Sequence, residues 1–174
     1  HGEFCQIYYP SDVNSLFAAF EETFKRKNAI CVIVSGKRDV PQWLTLHEAR
    51  EQAKVGIGIW DWATNREAAK NPDVVLASAG DYMTQEAMYA VHLCKQMIPE
   101  LKIRFVNVSE LTSLCLGDIG KSRNVCLTED GINHYFTEDK PVVFNYHGYI
   151  NDIEHILWDH TTSDRYSIHG YHER

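Results

Sequence analysis

A chain of 174 residues with 44% hydrophobic side chains and only five prolines can bury a core of its own, and that composition excludes a disordered segment. Its formal net charge of -7, with no basic run longer than Lys25-Arg26-Lys27, leaves no electrostatic footprint for nucleic acid or an anionic membrane. No stretch approaches the roughly 18 apolar residues of a membrane span, and no signal peptide is visible.

Along the chain, Cys5 to Tyr9 reads as a strand. Ser11 is the expected cap of a helix in which Leu16, Phe17, Phe20 and Phe24 recur at helical spacing. Ala29 to Val34 is the next strand. The segment Gly36 to Thr45, interrupted by Pro41, breaks the core pattern and marks a boundary. What precedes it holds only strand, helix and strand, so it is either the edge of the following sheet or the tail of a domain whose beginning is absent. Thr45-Leu46-His47-Glu48 is a capping box opening a helix to about Lys54, which Gly56 stops. Gly58 to Trp62 reads as a strand with Trp60 and Trp62 on one side. Asp73 to Ser78, Lys102 to Val106 and Pro141 to Asn145 are further strands, and Met83 to Met97 is a helix.

Repeated β-α units of this kind predict an α/β fold, a three-layer sandwich around a mostly parallel sheet. The runs Cys31 to Lys37 and Val74 to Asp81 each end a hydrophobic strand at a glycine. They place loop amides at the carboxyl edge of the sheet, where open α/β folds bind ligands.

Five cysteines, Cys5, Cys31, Cys94, Cys115 and Cys126, lack C-x-x-C spacing, and Cys31 and Cys94 lie in apolar segments. They read as free thiols, Cys31 and Cys94 buried, of a reducing, cytoplasmic compartment. His147, His155, His160, His169 and His172 crowd the last 28 residues, but neither an H-E-x-x-H nor a Cys/His constellation is present. His1 could chelate only with a second histidine. Asp118, Glu129, Asp130, Glu138 and Asp139 read as helix-start or turn carboxylates rather than an acid/base pair. Ser78-Ala79-Gly80-Asp81 fits neither a nucleophile elbow nor a dinucleotide fingerprint and reads as a turn that starts a helix. Trp43, Trp60 and Trp62 are candidates for core packing or for anchoring an interface.

Several segments in order resemble the late part of the phosphoketolases. They are Tyr9-Pro10-Ser11-Asp12-Val13-Asn14, Ile33-Val34-Ser35-Gly36-Lys37, Pro41-Gln42-Trp43-Leu44-Thr45, Gly58-Ile59-Trp60-Asp61-Trp62, Val75-Leu76-Ala77-Ser78-Ala79-Gly80-Asp81, Arg104-Phe105-Val106-Asn107-Val108 and Phe144-Asn145-Tyr146-His147-Gly148-Tyr149. The resemblance implies a transketolase-like organisation: residues 1 to 44 as the end of a thiamine diphosphate pyrimidine-binding domain, and 45 to 174 as a truncated C-terminal domain. It implies a homodimeric cytoplasmic enzyme that uses thiamine diphosphate and a divalent metal. Such an enzyme cleaves xylulose 5-phosphate, and in many members fructose 6-phosphate, with phosphate to give acetyl phosphate.

The resemblance also implies that the residues gripping cofactor and metal precede this chain, so the isolated chain is expected to bind no cofactor and to be inactive without the missing domains or a homologous subunit. Lys37 is the one residue to which the resemblance assigns a role, reaching the substrate phosphate. Its neighbour Arg38 stands where the family has glutamine. Near the end, His160 to His172 departs from the family's Arg-x-Asn-His-x-Asn-x-His stretch and keeps chiefly Gly170-Tyr171 and Glu173. The alternative is a non-catalytic module that scaffolds or regulates a larger assembly.

Overall fold

The computed structural model describes residues 5–65, 70–115, 127–158, 160 and 163–172. The chain begins with a small β-α-β unit. Strands β1 (Cys5–Tyr8) and β2 (Ile30–Ile33) pair in parallel, with α1 (Val13–Phe24) crossing between them. They form a two-stranded sheet of their own rather than the edge of the larger one. Backbone links between the sheets include an isolated bridge from Tyr8 to Glu110 and the bond from Tyr9 N to Ser109 O at 2.8 Å.

Beyond the linker, α2 (Leu46–Val55), β3 (Ile57–Ile59), β4 (Val74–Ala79), α3 (Asp81–Met97), β5 (Ile103–Val108), α4 (Glu129–Phe136), β6 (Val142–Tyr149), α5 (Ile150–Leu157) and β7 (Tyr166–Tyr171) build the main unit. Its five-stranded sheet runs in the order β3-β5-β4-β6-β7, parallel except for β3, which is antiparallel to β5. The three layers expected of a mostly parallel sheet are present.

Two-residue alternation sends successive side chains to opposite faces and divides the core accordingly. Val75, Ala77, Ala79, Val106, Val108 and Phe144 pack with Ile132 and Phe136 of α4 and with Ile153 and Leu157 of α5. Leu76, Ile103 and Phe105 point the other way, onto Ala49 and Ala53 of α2 and Ala87 and Val91 of α3. Small residues on α2 and α3 let those helices lie close to the sheet, while the strands supply bulk.

Local capping sets the helix starts. The capping box of α2 is formed as the sequence predicts, with Thr45 Oγ1 and Glu48 satisfying each other's backbone. Gly56 ends α2 at φ 84, a conformation costly for any residue with a Cβ. For α1 the cap is Asp12, not Ser11: Asp12 Oδ1 accepts Ser15 N at 2.7 Å, whereas Ser11 is buried and shares a hydroxyl contact with Ser15. A carboxylate outcompetes a hydroxyl here because it also accepts bonds from the linker.

Three other expectations change. Phe17, Phe20 and Phe24 face solvent, at 60%, 43% and 83% exposure, while α1 buries Ser15, Ala18 and Ala19 against its neighbours. The strand expected over Gly58 to Trp62 stops at Ile59; Trp60 N still donates to Phe105 O at 3.1 Å, the chain turns after it, and the rings of Trp60 and Trp62 stack, centroids 5.3 Å apart. Cys31 and Cys94 are half-buried rather than enclosed, and they are free thiols, as is Cys5. Cys126, Asp118, Glu173 and His1 lie outside the described residues.

Candidate functional site

The carboxyl ends of β1, β2 and β4 converge on a cleft of about 520 Å³ between the small unit and the main sheet. Pro10, Asp12 and Val13 form one wall, and Asp81 forms the other. The linker that follows β2, with Ser35, Gly36, Arg38, Asp39 and Val40, closes the cleft. The cleft lies at the carboxyl edge where the strand-glycine pattern places its loops.

Two buried aspartates organise it, and each stands at the start of a helix. Asp12, 4% exposed, caps α1 through Oδ1 and reaches the linker through Oδ2, which accepts Trp43 N and Leu44 N at 2.8 Å and Gln42 Nε2 at 2.5 Å. Asp81, 3% exposed, opens α3; its Oδ1 accepts Tyr82 N at 2.8 Å and its Oδ2 accepts Gly36 N at 2.5 Å. An acid at a helix N-terminus complements the exposed amides and the positive end of the dipole. Both helix starts on the cleft are thereby occupied by side chains of the chain itself. Among the residues that line the cleft the cation is Arg38, and Lys37 adjoins it in sequence.

Lys37 is exposed and makes no hydrogen bond or ion pair among the described residues. Gly36 and Arg38 on either side of it line the cleft, while its own side chain is not part of the wall. Its backbone is held although its ammonium is not. A Cβ on Gly36 would lie 2.6 Å from Asp81 Oδ2 and 2.8 Å from the Tyr82 ring, so only glycine lets the linker lie this close to α3. Gly80, at φ 100, likewise sits where a Cβ would press on His147.

The histidines of the C-terminal stretch do not converge. His147 Nδ1 lies 3.3 Å from Asp81 Oδ1 without hydrogen-bond alignment, and its ring meets Tyr82 and Tyr171 edge-on. His160 is buried with Nε2 2.9 Å from Leu114 O, and His169 lies 3.2 Å from Ser167 Oγ on the outer strand. Among the described residues no three His, Cys, Asp or Glu side chains come together to hold a metal ion. No step through the metal or the diphosphate that the resemblance implies is assigned to the described residues. Glu129 and Asp130 sit in the first turn of α4, as helix-start carboxylates.

Behind the cleft, buried tyrosines fasten the two units. Tyr9 and Tyr146 share a hydroxyl bond of 2.8 Å with rings edge to face, and Tyr146 lies 3.4 Å from Asp152 Oδ2. Burial raises the pKa of both phenols; for Tyr146 the bond to Tyr9 adds to the rise. Residue patterning gave no cue to Asp12 and Asp81 beyond their places at helix starts, because their linker partners lie about thirty to forty-five residues away.

Residues 37–174 match the family model described as the XFP C-terminal domain. The protein named "Probable phosphoketolase" of Bradyrhizobium diazoefficiens is 39% identical over 168 residues, covering 97% of this chain and 21% of that protein. Its namesake in Clostridium acetobutylicum is 38% identical over 171 residues, covering 98% and 21%. The chain thus spans about a fifth of the length of the curated relatives it matches. Among solved structures, a Pichia stipitis transketolase superposes with a TM-score of 0.69 at 11% identity, over 98% of this chain and 21% of that one. A split-gene transketolase described as an inactive beta4 tetramer gives 0.64 at 13% identity, over 98% and 49%. At such identities the structures establish a shared fold, that of the transketolase C-terminal region, and the family model establishes kinship: the chain belongs to the phosphoketolase family, whose XFP C-terminal domain it carries.

Proposed function

We propose that the chain works as the C-terminal module of a cytoplasmic, homodimeric phosphoketolase. Residues 1 to 44 close the pyrimidine-binding domain, and residues 45 to 174 form the transketolase-like C-terminal domain. The complete protein splits xylulose 5-phosphate, with fructose 6-phosphate as a second substrate, and uses phosphate to give acetyl phosphate. Thiamine diphosphate and its metal are held by sequence outside this chain. This chain contributes Lys37, whose ammonium meets the phosphate of the sugar or inorganic phosphate at the mouth of the cleft.

The observation that carries this reading is the placement of Gly36-Lys37-Arg38 at the carboxyl edge, on a linker anchored by Asp81. A lysine on a fixed backbone has only its side-chain rotamers left to order on meeting an anion, and an aspartate already stands at both neighbouring helix starts. Acetyl phosphate production is the test. With thiamine diphosphate, magnesium, xylulose 5-phosphate and phosphate supplied, the 174-residue chain alone is expected to form none, and the chain joined to the remaining phosphoketolase sequence is expected to form it. Turnover by the chain alone overturns the division of labour.

A further inference from the structure

The linker between the two units is exposed over Lys37 to Pro41 except at half-buried Val40, yet a buried carboxylate grips it at each end. Asp81 holds the Gly36 amide, and Asp12 holds the amides of Trp43 and Leu44 and the side chain of Gln42. The grip at Gly36 is close enough to exclude any side chain there. Asp81 is itself fixed by its second oxygen on Tyr82 N, at the first turn of a helix seated on the sheet. Neither aspartate has its charge balanced by a lysine or arginine among the described residues: the five donors to Asp12 and the two to Asp81 are amides and a hydroxyl. Their partners are mostly backbone, which fixes the path of the chain rather than the pose of one side chain.

We infer that Asp81 is a positioning residue for Lys37. It acts through the Gly36 amide to hold the linker in the one path that presents the lysine at the mouth of the cleft. The inference rests on the reading of Lys37 as a phosphate ligand. In this arrangement the carboxylate touches no substrate. It prevents the Ser35 to Pro41 segment from sampling paths in which the ammonium points away, so phosphate binding does not have to order the backbone. Asp12 fixes the far end of the same span, and its additional role as the cap of α1 makes it the poorer place for a test.

Two measurements on the same variants separate this inference from the reading beneath it. The first is amide hydrogen exchange on the chain itself. Asp81→Ala is expected to speed exchange at Gly36 about tenfold or more, while Val75 and Ala77 of β4 keep their protection. Asp81→Asn, which retains one acceptor oxygen, is expected to fall between the two; it is the variant to read if Asp81→Ala loses protection in β4. The second is steady-state kinetics in the complete assembly. Asp81→Ala is expected to raise KM for the phosphorylated substrate with little change in kcat, and to add nothing to Lys37→Ala when the two are combined. Unchanged exchange at Gly36 in a folded variant overturns the inference. So do KM effects of the two substitutions that multiply in full. Faster exchange at Gly36 with Lys37→Ala kinetically silent upholds the strap and overturns the phosphate reading instead.

Discussion

Lys37 carries the proposed chemistry on an exposed ammonium whose value depends on what it meets. Facing a bound phosphate out of water, it makes a charge-assisted bond whose loss costs about 1.5 to 3 kcal/mol. Left in solvent, its removal changes stability by no more than about 0.5 kcal/mol. Lys37→Ala is therefore expected to raise KM for phosphorylated sugar or inorganic phosphate by about ten- to hundredfold in the complete assembly while leaving the thermal midpoint in place. Kinetics with both substrates varied, beside a melt, check it.

Tyr8 shows the opposite balance. It is 2% exposed, and burial, reinforced by the nearby Glu110 charge, pushes its phenol from 10.0 up to about 12. A raised folded-state pKa means that the contribution of Tyr8 to stability is fully present below pH 10 and is lost as pH rises through about 12. The loss amounts to roughly 2 to 3 kcal/mol for a shift of this size. Denaturant melts between pH 9 and pH 12, set against Tyr8→Phe, are expected to show the alkaline loss in the parent and a smaller one in the variant.

At the scale of elements, α1 is the instructive case. Its apolar period is genuine, but the face that the sequence marks with phenylalanines is not the face turned inward. Ala18 and Ala19 make the close contacts, and Asp12 fixes the helix start and the linker together. Asp12→Ala is thus expected to cost more than an ordinary cap, about 3 kcal/mol or more, since three backbone amides, two of them buried, lose their acceptor at once. Asp12→Asn, keeping one acceptor oxygen, is expected to recover part of it, as equilibrium unfolding of both variants would show. The helix α2, by contrast, is legible from its residues: box, apolar pair and stop glycine are all local. Strand β7 was hard to read, because the alternation of Tyr166 and Ile168 with Ser167 and His169 is short and Gly170 interrupts it, and its strand form comes from pairing with β6.

At the scale of the whole molecule, the phenylalanines of α1 present an exposed apolar face, and Ile30 and Val32 of β2 are 54% and 42% exposed as well. The proposed function puts this face against the rest of the larger protein, where burying a phenylalanine is worth about 1.5 to 3 kcal/mol. Trp60, which the sequence left open between core packing and an interface, takes the core role, 3% exposed and donating to Gln52, while Trp62 remains 49% exposed. The purified chain is accordingly expected to self-associate through α1. A Phe17→Ser, Phe24→Ser double variant is expected to be less associated by light scattering, with its unfolding free energy within about 0.5 kcal/mol of the parent.

The sequence by itself determined the α/β class, the kinship, the two-residue alternation that splits the core across the sheet, and the glycine-ended strands that locate the cleft. These are properties of neighbouring residues and of period, so they survive without knowledge of what packs where. Only the tertiary structure decided that β1 and β2 form a sheet of their own, that β3 runs antiparallel, and that two aspartates clamp the linker bearing Lys37. Those outcomes depend on contacts between residues about thirty to a hundred positions apart. Whether a carboxylate is spent on its own helix or on a distant amide is settled by which backbone donors burial would otherwise leave unpaired.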